Sequence, residues 1–137
     1  MKIAVDFDGT IVEHRYPEIG EPRPFAFETL RLLQKKHQLI LWTYRSGKEL
    51  EEAVEFCRKN GVEFYAVNKN YPEEKFDPET TSRKIDADIY IDDKNLGGLP
   101  DWGEIYRMIE PEEDFRFEKR LKENKGLFSG IFKKKNR

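Results

Sequence analysis

Two aspartates, Asp6 and Asp8, stand at alternate positions after a short apolar run near the start of the chain. The run at residues 2–7, KIAVDF, leads into Asp8, Gly9 and Thr10, a pattern that predicts a buried strand ending in a turn. Because the chain turns sharply at the glycine, both acids can approach one ligand. Carboxylate oxygens suit a hard cation such as Mg²⁺, which also neutralises the phosphate charge that repels a carboxylate nucleophile. The alternative for this motif alone is an Asx-turn with solvated acids.

A second acidic pair, Asp92 and Asp93, follows the strand-like run at residues 85–91. In a parallel sheet this pair would meet the first pair at the edge where the strands end. Like charges raise each other's pKa and oppose folding, so four carboxylates at one point favour a bound cation. The candidate metal ligands are therefore Asp6, Asp8, Asp92 and Asp93, and an acidic loop that points into water is the alternative.

Groups that could bind a phosphate follow the other predicted strands. Thr43 ends the run LILW (residues 39–42) and offers a hydroxyl and a backbone N–H, while Arg45 could contact phosphate through two parallel hydrogen bonds. Lys84 precedes the last acidic strand and could neutralise the nucleophile and the incoming phosphate. Lys69, just after the third predicted strand, is the competing lysine.

Strand and helix patterns alternate along the chain. Strands are predicted at residues 2–7, 39–42, 62–67 and 85–91, and helices at 26–37, 46–60 and from 102 to the break at Pro111. Ser46 and Glu49 have the form of a capping box, and Asn60-Gly61 stops the same helix. The alternation predicts an α/β fold, a doubly wound, Rossmann-like parallel sheet with flanking helices, in which ligands bind beyond the carboxyl ends of the strands.

Length and composition are those of one soluble domain. The chain has 137 residues, of which 37% are hydrophobic and 38% charged. Its formal charge of -2 gives no bulk reason to expect nucleic acid, although a local patch leaves that partner open. No apolar run reaches the roughly 18 residues that span a bilayer, and no signal peptide is visible, so we expect no integral membrane association and a cytoplasmic location.

Taken in order, DFDGT, LILWTYR, a lysine and YIDD resemble the four sequence motifs of the haloacid dehalogenase (HAD) superfamily, over about residues 1–110. The resemblance implies a magnesium-dependent phosphohydrolase of the small, capless kind. Asp6 would attack phosphorus and form an aspartyl phosphate, while Asp8 would protonate the leaving oxygen and then activate water. Thr43 and Lys84 would stabilise the transferring phosphoryl group, although the interval between Lys84 and Asp92 is short for the superfamily.

The same resemblance implies how the ion and the substrate would be held. Mg²⁺ would be bound by Asp6, the backbone carbonyl of Asp8, and Asp92, with Asp93 as a further ligand or just behind the ligands. The candidate substrate-binding residues are Gly9, Thr10, His14 and Arg45. The segment Glu13–Tyr16 directly follows the first motif and is for that reason the candidate for substrate contact, although for His14 an exposed loop histidine is the favoured interpretation.

Neither interval that carries large caps in the superfamily holds a domain here. An open site would accept a phosphorylated small molecule or a macromolecular end, such as a sugar-nucleotide, a nucleic-acid terminus or a phosphoprotein. A homo-oligomeric partner could supply a lid. We place the catalytic domain at 1–110, a helical extension at 111–124 and a basic, flexible tail at 125–137.

Three other functions compete with hydrolysis. A receiver-type signalling module would carry its phosphoacceptor after the third strand, where this sequence has Asn68, Lys69 and Asn70. A catalytically silent HAD-like domain would serve as a binding or scaffold protein. A phosphotransferase would use the same aspartyl phosphate but pass the phosphoryl group to a second substrate.

Two tryptophans and one cysteine are expected to be structural. Trp42 and Trp102 are interpreted as core or half-buried packing residues. Cys57 lies on the apolar face of a predicted helix and is interpreted as an inert core residue.

Overall fold

Strands and helices follow one another in the order that the sequence predicts, with no helix between the third and fourth strands. A computed structural model, which describes residues 1–113, 119–120 and 122–123, contains β1 (Lys2–Val5), α1 (Ala26–Leu33), β2 (Gln38–Leu41), α2 (Gly47–Lys59), β3 (Ala66–Val67), β4 (Ile89–Ile91) and α3 (Trp102–Ile109). The strands are shorter than the apolar runs that predict them, most clearly β3 and β4. The prediction of an α/β fold is confirmed.

The four strands form one all-parallel sheet in the order β3-β2-β1-β4. Val5 of β1 is in register with Leu41 of β2 and with Ile91 of β4. The Asp6 amide then donates to the Ile91 carbonyl at 3.0 Å. On the other side, the Trp42 amide donates to the Val5 carbonyl at 2.8 Å. The residues that follow β1, β2 and β4 therefore lie at one edge of the sheet, consistent with a Rossmann-like α/β fold.

Helices α1 and α2 contact each other and the end of β1 through three phenylalanines. The rings of Phe27 and Phe56 have centroids 5.8 Å apart, and Phe7 packs edge-on against Phe56 at 6.4 Å. Phe7 is fully buried. This packing anchors the chain between the two aspartates of the first motif to the core.

A second apolar cluster contains Ala4, Ile40, Ala66 and Ile85. The first three residues are on β1, β2 and β3, and they share a sheet face because Ala4 is in register with Ile40 and Ile40 with Ala66. Ile85 comes from the connection at residues 68–88, which forms turns and bends and no helix. Irregular chain therefore packs on this face, where a doubly wound fold usually has a helix.

Helix α2 begins after Ser46 and ends at Lys59, close to the predicted limits. Ser46 is the N-cap residue, but its side chain makes no cap hydrogen bond, so the predicted capping box with Glu49 is wrong. Gly47 has φ of 54°, outside the α region, which makes the first turn irregular. At the other end Gly61, with φ of 83°, adopts the left-handed conformation that stops a helix.

Cys57 is buried on the inner face of α2, which confirms the prediction of a core residue. Burial raises the pKa of its thiol to about 12, so the side chain stays a neutral thiol at neutral pH. Helix α2 itself has 13 residues. Throughout the described part of the chain, helices fall short of the length and apolar character that spanning a bilayer requires.

The chain divides into two compact units, Met1–Trp102 and Gly103–Arg137. In the second unit α3 stops at Glu110, because the residue before Pro111 is disfavoured in the α conformation. Helical backbone is also described at 111–113, 119–120 and 122–123. The rest of the predicted extension and the basic tail at 125–137 lie outside the described residues.

Candidate functional site

Three carboxylates converge at the edge of the sheet. Asp6 directly follows β1, and Asp92 and Asp93 directly follow β4, its neighbour in the sheet. One carboxylate oxygen of each lies within 4.8 Å of the others. The register of β1 with β4 thus brings together three of the four candidate metal ligands.

Thr10 ties this acidic cluster together. Its side chain is fully buried, and its hydroxyl oxygen lies 3.0 Å from Asp6 Oδ2 and 3.0 Å from Asp93 Oδ1. The hydroxyl also accepts a 3.0 Å hydrogen bond from the Asp93 amide. Trp102 Nε1 donates to the Thr10 carbonyl at 2.9 Å. Thr10 therefore positions Asp6 and Asp93, and its predicted role in substrate binding stays a prediction.

Gly9 permits the close approach of Asp93. Its φ is 84°, and a Cβ at this position would lie 2.4 Å from Asp93 Oδ2. A real side chain cannot occupy that space without moving the carboxylate. The glycine therefore keeps the acidic cluster together, and its predicted role in substrate binding remains a prediction.

Crowding of the acids shifts the proton affinity of Asp6. Burial, contact with the Asp93 carboxylate and the charge of Asp92 together raise the pKa of Asp6 from 3.8 to about 7. Hydrogen bonds from Thr10 and from the Phe7 amide act in the opposite direction but are smaller. A cation among the three carboxylates would offset the charge repulsion that, after burial, contributes to the shift. The oxygen donors suit a hard metal ion without specifying which one.

Asp8 is paired with Arg45 instead of joining the cluster. Nε of Arg45 donates to Asp8 Oδ2 at 2.7 Å, and Nη2 donates to Oδ1 at 2.8 Å. The remaining guanidinium N–H groups donate to the carbonyls of Pro17, Glu18 and Glu49. Every N–H group of the Arg45 side chain thus has an acceptor within the chain, and its predicted phosphate contact, which would require one of these bonds to be exchanged, stays a prediction.

Arg45 is 1% exposed and lies between two aromatic rings. Its guanidinium carbon is 5.1 Å from the ring centroid of Phe7 and 5.1 Å from that of Tyr16. The hydrogen bond with Asp8 raises the pKa of the Arg45 guanidinium above its ordinary value. The Asp8 carboxylate is not part of the cluster formed by Asp6, Asp92 and Asp93. A metal contact through the backbone carbonyl of Asp8, which the resemblance implies, stays a prediction.

Thr43 keeps one of its two predicted phosphate-binding groups. Its backbone N–H donates to Asn68 Oδ1 at 2.8 Å, and its hydroxyl accepts a 3.1 Å hydrogen bond from the Arg45 amide. The hydroxyl proton remains available to a ligand. Asn68, which sequence reasoning did not select for the site, has a φ of 55° and follows β3 directly.

Neither candidate lysine lines the cavity beside the acids. Lys84 is exposed, and its Nζ lies 5.5 Å from the ring centroid of Tyr90. Among the described residues, the lysine that lines the cavity beside the acidic cluster is Lys94, not Lys84 or Lys69. Lys94 directly follows Asp92 and Asp93 in the sequence, and this adjacency was the signal that could have identified it.

A cavity of about 530 Å³ opens at the edge of the sheet. The charged and hydroxyl side chains that line it are Asp6, Asp8, Thr43, Arg45, Asp92 and Lys94. Its ring-bearing side chains are His14, Tyr16, Trp42 and Tyr44. His14 and Tyr16, both in the segment that follows the first motif, thus lie near the acids, although both are exposed. Tyr44 was not selected, although its place between Thr43 and Arg45 was a signal that could have identified it.

The two tryptophans differ. Trp102 is 2% exposed, which confirms it as a core residue. Trp42 is half-buried against the cluster formed around Ile40 and also lines the cavity. The prediction that Trp42 is a half-buried packing residue is confirmed, and the part of Trp42 that does not pack lines the cavity.

Comparison with known proteins identifies a relative of known structure. The chain is similar to a conserved protein from Bacteroides thetaiotaomicron, with 64% sequence identity and a TM-score of 0.76. The match covers 82% of this chain and 91% of that protein. No protein-family model matches the chain, and no curated protein sequence does.

Proposed function

The chain belongs to the same family as this conserved Bacteroides thetaiotaomicron protein, and we propose that it is a magnesium-dependent phosphomonoesterase of the HAD type. The observation that carries the proposal is the meeting of Asp6, Asp92 and Asp93 within 4.8 Å at the carboxyl edge of a parallel sheet. Ligands bind at that edge in open α/β folds. Asp6 is the nucleophile, as the resemblance of its motif implies.

The donor set supports Mg²⁺ as the cofactor. Asp6, Asp92 and Asp93 would hold it, because their oxygens are the hard ligands that this ion prefers. When bound, the ion would neutralise phosphate charge that repels a carboxylate nucleophile. The raised pKa of Asp6, about 7, supports a cation at this point, since without one a proton competes for the nucleophile near neutral pH.

Asp6 and Asp8 divide the covalent steps. A carboxylate oxygen of Asp6 attacks phosphorus as the bond to the leaving oxygen breaks, and Asp8 delivers a proton to that oxygen. Asp8 then takes a proton from water, whose oxygen attacks phosphorus and releases phosphate from Asp6. Arg45 binds both oxygens of Asp8, but each oxygen keeps a second lone pair on which a proton can be carried.

Thr43 and Lys94 complete the phosphate site. The Thr43 hydroxyl can donate to a phosphoryl oxygen, because its other hydrogen bond uses only its acceptor capacity. Lys94 lines the cavity and supplies the positive charge that the resemblance assigns to Lys84. The irregular connection at 68–88 supports the absence of a sizeable cap.

The first experiment measures phosphate release from a panel of phosphomonoesters by the full chain, with Mg²⁺ and with a chelator. We expect Mg²⁺-dependent release by the wild type and at least a hundredfold loss in Asp6→Asn, since a nucleophile is removed. Asp86→Asn is the matched control, because Asp86 is exposed and does not line the cavity. Equal release by Asp6→Asn and wild type would contradict the proposal, and phosphate transfer to alcohols in place of water would indicate a transferase.

A further inference from the structure

Aromatic rings line the same cavity as the acidic cluster. Trp42 and Tyr44 come from the end of β2, and Tyr16 comes from the loop that follows the first acidic motif. The chemistry assigned above requires carboxylates, a hydroxyl and a cation, and it leaves these rings without a role. A cavity that joins a polar centre to flat apolar surfaces is typical of a site that also recognises the organic part of its ligand.

Two of the rings are held in place before any ligand binds. Trp42 packs against the cluster around Ile40 and continues the sheet through its backbone. Tyr16 lies against the guanidinium of Arg45, which is fixed by hydrogen bonds to Asp8 and to backbone carbonyls. A ligand that contacts these rings would therefore lose little free energy to their ordering.

Tyr44 is the exposed member of the set. Its side chain is 99% exposed, although the next residue, Arg45, is 1% exposed. Single exposed aromatic residues are common on protein surfaces and carry no argument alone. Tyr44, however, lines the same cavity as Trp42, so a flat ligand ring in contact with both would bury apolar surface.

Size and charge restrict the ligand further. A volume of about 530 Å³ holds much more than a phosphate group and lies in the range of sites for drug-sized molecules. Lys94 is the lining cation whose charge is available, because Arg45 uses all its N–H groups within the chain. Long phosphate backbones are bound by many cations. One phosphate with one flat ring fits this lining better than a polynucleotide.

We infer that, given the phosphomonoesterase function proposed above, the substrate is a nucleoside monophosphate whose base stacks against Tyr44 and Trp42 while its phosphate lies at the acidic cluster. Tyr44 acts here as a specificity residue, not a catalytic one. Stacking of a base on an aromatic side chain tolerates every base, because each has a flat face. We therefore expect a preference for the presence of a base more than for its identity.

The test compares adenosine 5′-monophosphate with ribose 5-phosphate, which keeps the phosphoester and the pentose but lacks the base. With Mg²⁺, kcat/KM of the wild type should be at least about tenfold higher for the nucleotide, mainly through KM, as loss of one stacking contact implies. Tyr44→Ala should lower the ratio of kcat/KM for the nucleotide to kcat/KM for ribose 5-phosphate about tenfold, and Tyr44→Phe should keep this ratio. Tyr71→Ala is the matched control, because Tyr71 is exposed but does not line the cavity.

Direct binding separates this inference from the proposed function. Isothermal titration of both compounds into wild type and Tyr44→Ala needs no turnover. Tighter, Tyr44-dependent binding of the nucleotide without phosphate release would support the nucleotide site and contradict the phosphatase. Hydrolysis of both compounds with a kcat/KM ratio near one would overturn the nucleotide site and leave the phosphatase standing. Binding that is equal or absent for both compounds would also overturn the nucleotide site, and phosphate release would then decide the phosphatase separately.

Discussion

Arg45 donates to both carboxylate oxygens of Asp8 from a fully buried position, although the two residues are 37 positions apart in the sequence. The same guanidinium binds the carbonyls of Pro17 and Glu18 in the loop that follows the first acidic motif. It also binds the carbonyl of Glu49 in the first turn of α2. Arg45 therefore connects Asp8, this loop and the helix that follows β2.

Replacement of Arg45 should destabilise the fold as well as the site. Arg45→Ala leaves Asp8 without its buried partner and several carbonyls without donors, and we expect a loss of about 3 kcal/mol in the free energy of unfolding. Arg45→Lys should lie between alanine and wild type, because an ammonium cannot bind both oxygens in the same planar geometry. Urea denaturation measures both variants.

Arg58 offers the matched control for this prediction. It also pairs with a carboxylate through two hydrogen bonds, to Glu55, but the pair is exposed. Arg58→Ala should change stability little, because exposed ion pairs are screened by solvent. A loss for Arg45→Ala no greater than that for Arg58→Ala would show that the buried pair does not hold the loop.

The acidic cluster predicts a pH dependence of stability. Because the pKa of Asp6 is raised from 3.8 to about 7, the folded protein binds a proton in that range that the unfolded chain releases. The contribution of Asp6 to stability is therefore present below pH 3.8 and lost as pH rises to about 7. As pH rises through this range, we expect the free energy of unfolding of the metal-free protein to fall by on the order of 2 kcal/mol through Asp6, after allowance for solvent screening.

Asp6→Asn should flatten this dependence, since the amide does not titrate, and Asp86→Asn should leave it in place. Thermal denaturation at closely spaced pH values measures the slope for each variant. Mg²⁺ at ten times its dissociation constant should stabilise the wild type by about 1.4 kcal/mol above pH 7. If the stability of the metal-free protein rose between pH 3.8 and about 7, that result would contradict the raised pKa of Asp6.

Gly9 and Gly97 separate the cost of a strained backbone from the cost of a clash. Both have positive φ, 84° and 92°, but a Cβ at Gly9 would meet Asp93 whereas one at Gly97 meets nothing within 4 Å. Gly97→Ala should lower the free energy of unfolding by about 1 kcal/mol, because alanine is disfavoured in this left-handed backbone conformation. Gly9→Ala should cost about 2 kcal/mol more, since it also displaces the carboxylate, and should weaken Mg²⁺ binding. Equal costs and equal metal affinities in the two variants would argue against a close approach of Asp93 to Gly9.

Replacement of Lys94 and of Lys84 tests which lysine supplies the positive charge at the phosphate site. Lys94→Ala should lower kcat/KM for phosphomonoesters about tenfold or more, since it removes a charge beside the phosphate, while Lys84→Ala should have a smaller effect. Steady-state kinetics with one substrate decides between them, and Lys69→Ala serves as a third comparison. A larger loss in Lys84→Ala would restore the assignment that the motif resemblance implies.

The placement of the acids could be predicted from sequence because it depends on local patterns. Asp6 and Asp92 each end a β-branched apolar run, and parallel strands place such ends at one edge. The pairing of Asp8 with Arg45 could not be predicted, since it depends on how two loops fold over the sheet edge. An arginine near a phosphate motif resembles a ligand contact until its partners are known.

The irregular connection at residues 68–88 explains why the position of Lys84 could not be predicted from the sequence. Without a helix or strand to set a direction, its course gives no periodic signal from which the position of Lys84 could be deduced. The missing cap bond of Ser46 has a similar cause, because the left-handed φ of Gly47 is invisible in the capping pattern.

Covalent capture of the nucleophile tests the central claim most directly. The full chain is mixed with acetyl phosphate and Mg²⁺ and quenched with borohydride, which reduces an aspartyl phosphate to homoserine, and the peptide that contains residue 6 is sequenced by mass spectrometry. We predict homoserine at position 6 in the wild type, and none at that position without Mg²⁺ or in Asp6→Asn. Magnesium-dependent phosphate release with an unmodified Asp6, or capture at another residue, would contradict the account.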